Sequence, residues 1–450
     1  MVPASRSAPP QRETVHLHPS PHPGSTLEER FPLSTLDLSI TQNYNTWALI
    51  FRLDDRSEIP TLVQMLRRAV QATLAQCRHT VGTIERDAQG SFFIMKRPTS
   101  TVPFVVDHHE RPAYAEIEGA GFASASLGNP AKFTIQGMTM GTPCPPDVSP
   151  PISGYQLAFI PGGLVFTVHM HHYVMDITGT TSLIHQIAGH SHALLRGTPP
   201  PAWDDAWMDR ARFIPPPVAE ADQVPAVLVA ALLHPAGVAG GQPHAFLWRV
   251  LCRNRSQIYR PDLSEPAVLL ESINMRRRLT PPLSMRYQGN VLSGGLSFLH
   301  PRPLTLAQVI SPDTPLSTLA IFIREITQSV TPQSLEATIA ALAPVRDKSR
   351  LNVRPDSFPP MSLAVTDWRD ANMCAVDFGF GRAAAARQIA DTVVENLLMI
   401  YPRPQAGAET QEDGGLEVVL PFETDYLDLL LADEELARAA TFRGIEARTA

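Results

Sequence analysis

Apolar residues recur at regular spacings along most of this chain, and the spacing predicts its elements. Between Thr61 and Cys77, positions Leu62, Val63, Leu66, Ala69, Val70, Thr73, Leu74 and Cys77 fall on one face at a 3.6-residue period. That pattern predicts an amphipathic helix, with Pro60 where a first-turn proline is favoured. Trp47–Leu53, rich in aromatic and branched residues, and the shorter Ser91–Met95 read as strands. Gln156–Ile160 and Leu164–Met170 flank Pro161-Gly162-Gly163, the pattern of a β-hairpin, and a helix from about Thr180 to Leu195 follows directly. Between Lys96 and Pro151 the pattern is irregular.

The second half repeats the mixture. Helices are expected over Ala245–Ser256 and Gln333–Ala343, with further helical segments in Leu304–Val330 broken at Ser311-Pro312. Strands are expected over Ala267–Asn274, Gly289–Phe298, Ser362–Val365, Met373–Val376 and Leu416–Pro421, and a last helix starts in Glu423–Leu431. Propensity favours helix across Ala383–Tyr401. No repeat of 20–50 residues is visible. The expected class is α/β, or α+β with mixed sheets, in two comparable lobes. Residues 1–30, rich in Pro, Ser, His and Arg without a period, are expected to be a flexible tail. An N-terminal lobe over 31–196, a Pro/Ala-rich crossover over 197–241 and a C-terminal lobe over 242–450 complete the organisation.

Composition narrows the classes. Of 450 residues, 44% are hydrophobic and 18% charged, which supports sizeable cores and excludes bulk disorder. A net charge of −7 argues against a nucleic-acid binder. The longest clean apolar stretch is Ala226–Leu233, far short of the ~20 residues a membrane span needs. The first thirty residues hold no apolar run, so no signal peptide is expected and the cytoplasm is the expected location. Cys77, Cys144, Cys252 and Cys374 are scattered with no CxxC and read as free thiols. All but three of the 37 basic residues are arginine, a skew that fits GC-rich codon usage.

The densest polar chemistry is His169-Met170-His171-His172-Tyr173-Val174-Met175-Asp176, where the hairpin ends and a helix begins. Functional groups gather on such loops because rigid elements hold them. A histidine near neutral pKa takes a proton from an alcohol or amine, and Asp176, four residues on, either orients the ring or holds the loop by pairing with an arginine. His169 and His171 share a strand face, and H-x-H pairs bind zinc, but no third ligand is evident, so no metal is assigned. Gly379-x-Gly381-x-x-Ala384 mimics a dinucleotide fingerprint without the surrounding βαβ unit. Neither G-x-S-x-G nor a Walker A sequence is present.

His171-His172-x-x-x-Asp176 resembles the H-H-x-x-x-D signature of CoA-dependent acyltransferases. Four further segments resemble, in family order, those of the BAHD acyltransferases. They are Ala245-Phe246-Leu247-Trp248-Arg249, then Asn274-x-Arg276-x-Arg278-Leu279-x-Pro281-Pro282-Leu283 with Tyr287-x-Gly289-Asn290, then Thr366-Asp367-Trp368, then Asp377-Phe378-Gly379-Phe380-Gly381. The opening Leu33-Ser34-Thr35-Leu36-Asp37 is also similar. The chain thus resembles a fungal BAHD-type acyltransferase of the trichothecene O-acetyltransferase group. Three positions depart: Ile177 stands where the family has glycine, Phe380 where it has tryptophan, and Asp367 where it has serine. Asp367 puts a carboxylate near the expected reaction centre.

The resemblance implies two chloramphenicol-acetyltransferase-like lobes with a channel between them. It implies an acyl-CoA co-substrate, most often acetyl-CoA, a small-molecule alcohol acceptor of secondary metabolism, no bound cofactor, and a monomer. His172 is the implied general base. Asp176 is structural, paired with Arg276 or Arg278, with Arg276 preferred. Thr366 and the Trp368 indole N–H are the implied donors to the tetrahedral oxyanion, and Asn274 and Asn290 bond backbone near the channel. Asp377, Gly379 and Gly381 form a tight loop away from the chemistry, and within Ala383–Tyr401, where propensity favours helix, the resemblance implies a loop and a strand near Leu397–Tyr401. The alternative keeps the fold and the histidine but uses them for a CoA-independent cyclisation or for acyl transfer from a carrier protein.

Overall fold

A computed structural model describes residues 12–20, 27–88, 90–216, 241–345, 359–390, 396–402 and 415–446. The apolar segment 226–233, most of the crossover and the first eleven residues lie outside that set. The strands are β1 (Arg12–Leu17), β2 (Glu29–Pro32), β3 (Tyr44–Arg52), β4 (Thr83–Arg86), β5 (Phe92–Lys96), β6 (Val102–His108), β7 (Ser153–Ile160), β8 (Gly163–His171), β9 (Leu269–Asn274), β10 (Leu292–Leu296), β11 (Leu363–Asp367), β12 (Ala385–Gln388), β13 (Leu397–Ile400) and β14 (Val418–Val419). The helices are α1 (Thr35–Leu38), α2 (Ile59–Gln76), α3 (Tyr114–Gly119), α4 (Ile177–Arg196), α5 (Gly241–Tyr259), α6 (Leu306–Ile310), α7 (Leu316–Ser329), α8 (Pro332–Leu342), α9 (Leu427–Leu431) and α10 (Glu434–Ala439).

The N-terminal lobe is built on a six-stranded sheet in the order β1-β6-β7-β8-β3-β12, with a small β2-β5-β4 sheet beside it. The C-terminal lobe is built on a five-stranded sheet in the order β10-β9-β11-β13-β14. Strands β7 and β8 are buried along their whole length, as a central hairpin covered on both faces must be. Helix α2 lays Leu62, Leu66, Ala69, Val70 and Leu74 into the N-terminal core, the face its periodicity predicts. Helix α5 packs Ala245, Trp248 and Leu251 against Leu269, Val365 and Ile400 of the second sheet. Two comparable lobes with mixed sheets are what the sequence predicts.

Four expectations are corrected. The tail carries strand β1, in which Arg12–Leu17 pairs antiparallel with β6 (Leu17↔Val102). The irregular stretch before Pro151 holds β6 and α3. Met373–Ala375 is a 3-10 turn where a strand was expected. Most consequentially, Ala385–Gln388 is neither helical nor part of the C-terminal lobe: β12 crosses back and pairs antiparallel with β3 (Ala385↔Ile50, Gln388↔Trp47), completing the first sheet. Ala385 is buried with Ala48, Ile50 and Ile389, and Ala386 with the main core, in space that suits small side chains. The boundary at residue 242 therefore divides the sequence, not the sheets.

Candidate active site

The central hairpin delivers the histidine loop. Strand β8 is paired on one side with β7 and on the other with β3, where Tyr44 is the register partner of His171. His172 is the first residue past the strand, and its backbone N–H donates to the Asn43 carbonyl at 2.9 Å. Four residues later Asp176 is the N-cap of the 20-residue α4, accepting from the Gly179 N–H at 2.9 Å. Gly179 has a packing reason to be glycine: a Cβ there would lie 2.8 Å from the Met175 side chain.

The Asp176 carboxylate faces the other lobe. Arg276 grips it with two parallel bonds, 2.8 and 2.9 Å, and Val291 N–H adds a third at 3.1 Å. Its Nη2 also reaches the Tyr287 and Gly289 carbonyls at 3.1 and 2.7 Å. Both side chains are fully buried. Breaking such a pair from one side costs ~3–5 kcal/mol, because a charge is left bare in the interior. Of the two arginines proposed as its partner, Arg276 is the one; Arg278 instead donates to the Thr327 and Val330 carbonyls near the end of α7. Asn274 orients Arg276, accepting from its backbone N–H at 3.1 Å, and donates to Thr178 at 3.0 Å.

A second clamp holds the same loop from its other side. Asp37 is fully buried and accepts from Arg210 Nε at 3.0 Å and from Asn290, both backbone and side chain, at 3.0 and 2.9 Å. Arg210 also donates to the Val174 carbonyl at 2.7 Å, and Asn290 Nδ2 to the His172 carbonyl at 3.0 Å. Sequence reasoning did not single out Arg210. It lies in the Pro-rich crossover, and its only local signal is a charged residue among 3-10 turns.

His172 is buried, and burial pulls its pKa below the usual 6.5, against the opposing pull of Asp176 and Asp37. The ring is therefore neutral at neutral pH, the state a general base requires. Its neighbours are spoken for. His171 Nε2 meets the Cys144 carbonyl at 3.0 Å and its Nδ1 accepts from Tyr173 N–H at 3.2 Å. His169 accepts from Ile135 N–H at 3.1 Å and meets the Gly154 carbonyl at 3.2 Å. Burial pushes the two pKa values down to about 4 and about 3. With both nitrogens bonded to backbone, this H-x-H pair has no lone pair turned to a metal.

Strand β11 carries the other candidate residues. Thr366 is fully buried, and Trp368 stacks edge-on against Trp47 of the N-terminal lobe with ring centroids 4.9 Å apart. The Trp368 indole N–H has no hydrogen-bond partner among the described residues. Alternation sends Asp367 to the opposite face of the sheet, toward α5, where it meets Arg369 and lies 3.3 Å from His244 Nε2. The carboxylate at the departing position thus faces away from the Thr366 and Trp368 side.

The Asp377–Gly381 loop lies near the C-terminal end of α4. Asp377 accepts from the Gly379 N–H at 2.7 Å, and Arg196 donates to the Gly379 carbonyl at 2.9 Å. Gly379 has φ +90°, and a Cβ there would meet the His192 backbone at 3.0 Å. That contact is about four turns along α4 from the helix start, ~24 Å from Asp176 at 1.5 Å per residue. A cavity of about 740 Å³ between residues 123–125 and the C-terminal segment includes neither His172 nor Thr366 in its wall.

Two lobes sharing one sheet strand, with a buried neutral histidine locked at their junction, define the class of two-lobed acyltransferases. Residues 43–189 match the trichothecene 3-O-acetyltransferase-like N-terminal domain, and residues 243–434 match the Transferase family. The chain is 35% identical to acetyltransferase FGR3 of Gibberella zeae, over 97% of this chain and 95% of that one. It is 22% identical to the trichothecene 3-O-acetyltransferase TRI101 of Fusarium sporotrichioides, over 89% and 94%. The structure of F. graminearum TRI101 complexed with ethyl coenzyme A superposes with a TM-score of 0.72 at 20% identity, covering 93% of this chain and all of that one. Vinorine synthase superposes at 0.63 and 16% identity, over 95% and 98%. The chain belongs to the fungal trichothecene acetyltransferase-like branch of the BAHD-type Transferase family and is an acyltransferase.

Proposed function

We propose that this enzyme transfers an acetyl group from acetyl-CoA to a hydroxyl of a small secondary metabolite, with His172 as general base. The observation that carries this reading is the buried His172, its loop held by the Arg276–Asp176 and Arg210–Asp37 clamps; burial holds its pKa below the usual value. His172 takes the proton of the acceptor hydroxyl while the oxygen attacks the thioester carbonyl carbon. The tetrahedral oxyanion forms within reach of hydrogen-bond donors, for which Thr366 and the Trp368 indole N–H are the candidates. Collapse breaks the carbon–sulfur bond, the proton passes from the imidazolium to the leaving sulfur, and the products are an ester and CoA. General-base assistance of this kind contributes ~10²–10⁴-fold, and oxyanion donors a further ~10²–10³-fold.

Asp176, Asn274 and Asn290 position the histidine and carry no proton in this scheme. No metal or resident cofactor enters it. The working unit is taken as a cytoplasmic monomer with two lobes around one channel. The turned-away Asp367 removes the feature that favoured a CoA-independent reaction. The test is CoA release, followed by mass spectrometry, with acetyl-, malonyl- and longer acyl-CoAs and a panel of hydroxylated fungal metabolites. CoA matched by an acylated product, absent from His172→Ala, is the expected result. Folded enzyme that turns over no thioester with any acceptor overturns the proposal.

A further inference from the structure

Behind the Thr366–Trp368 face lies a buried charge cluster that the reaction above does not use. His244, in the first turn of α5, places Nδ1 3.0 Å from Glu271 Oε1 of β9 and Nε2 3.3 Å from Asp367 Oδ2 at the end of β11. All three side chains are at most 6% exposed. Asp367 is also gripped by Arg369, whose Nε donates at 2.8 and 2.9 Å, and it accepts the Arg369 backbone N–H at 3.0 Å. That last bond closes a turn of an Asp onto the amide two residues on, and the residue enclosed by the turn is Trp368. The conformation of Asp367 therefore fixes the backbone that aims the Trp368 indole.

Such a turn needs only a short side chain with an acceptor oxygen, and an uncharged one would serve. The aspartate brings a charge into a place already occupied by Glu271, and Arg369 pairs with only one of these two buried carboxylates. We propose that His244 is a positioning residue: as an imidazolium bridging Glu271 and Asp367, it allows the Asp367 turn to hold Trp368, and with it the end of β11, in the wall of the active site. The clamp joins three elements, α5, β9 and β11, and rests on the acyltransferase reading only for the use to which the wall is put. The charged groups facing the imidazole are Glu271 and Asp367, with Arg369 beyond Asp367 and Asp370 beside Arg369. Burial disfavours the ring's charge, but the two carboxylates outweigh it and lift its pKa to about 10, so the cation persists through the neutral range.

The clamp has a pH signature that simple packing lacks. A raised folded pKa stabilises fully below the unfolded value near 6.5, and this contribution fades as pH rises towards about 10. The experiment compares thermal unfolding of the full chain from pH 5 to 10 for the parent, His244→Gln, Asp367→Ser and the double variant. The expected result is a Tm deficit for His244→Gln that is largest near pH 6 and shrinks towards pH 10. In the Asp367→Ser background, where the turn survives without the charge, the same histidine change costs measurably less. Positioning is read by acrylamide quenching of Trp368, taken as the difference between each protein and its Trp368→Phe counterpart. Quenching rises in His244→Gln and returns towards the parent value in the double variant. A pH-independent deficit, or a double variant no better than additive, overturns the clamp; unchanged quenching of Trp368 overturns the positioning role. None of these readouts requires turnover, so failure of the acetyl-transfer reading stays distinguishable.

Discussion

Two buried histidines sit beside carboxylates in this molecule and end in opposite charge states. His172 has Asp176 four residues away and Asp37 nearby, yet its pKa falls below 6.5. His244 has Glu271 and Asp367, and its pKa rises to about 10. The numbers of carboxylates are the same. What differs is where their oxygens are committed. Asp176 is bound by Arg276 and two backbone amides, and Asp37 by Arg210 and Asn290, so neither binds the ring. Around His244 the carboxylates approach the ring nitrogens directly. Proximity of an acid does not charge a histidine; contact of its oxygens with the ring nitrogens does, even where, as at Asp367, an arginine shares the carboxylate.

The strongest way to break this comparison is to remove the neutral ring. His172→Ala is expected to lower acetyl transfer ~10²–10⁴-fold with the circular dichroism spectrum unchanged. Next, Arg276→Met frees a buried carboxylate at the helix cap. A loss of ~3–5 kcal/mol in denaturant midpoints is expected, and a smaller loss would mean the pair is less dry than its burial indicates. Arg210→Met should cost less than Arg276→Met, because Asp37 keeps Asn290 and the Ser34 cap. Asn290→Ala removes the bond to the His172 carbonyl, for which a loss of ~1–3 kcal/mol fits a buried acceptor left bare. The smallest effect is in pH. A base with a lowered pKa keeps kcat/KM level to below pH 6.5, with the acid limb lying lower still; a limb above 6.5 would put a cation on His172. Stability should fall in the same window as pH drops, since the unfolded ring takes up a proton the folded one resists.

Much of this was legible in the sequence. The α2 stripe, the β7–β8 hairpin and the His172–Asp176 spacing are local patterns, and the structure places them within a few residues of expectation. Arg276 over Arg278 was a preference that only the opposing lobe decides, because both arginines sit on one short segment. The Arg210 clamp was hidden because a buried arginine in irregular chain has no period to betray it. Strand β12 was hidden because Ala-Ala-Arg-Gln favours helix, and only the slot beside β3 turns it into a strand. Alternation along β11 separates Asp367 from Thr366 and Trp368, but only the fold shows that its face meets α5 and not the reaction centre.

The return of β12 has a bearing on how the chain is made. Until residue 388 leaves the ribosome, β3 presents one unpaired edge of apolar side chains that β12 will later cover. A nascent or truncated N-terminal half therefore carries an open template for unwanted strand pairing. Its sheet cannot be finished from its own half, so the nascent chain must wait for its other half to be synthesised before its first sheet is sealed.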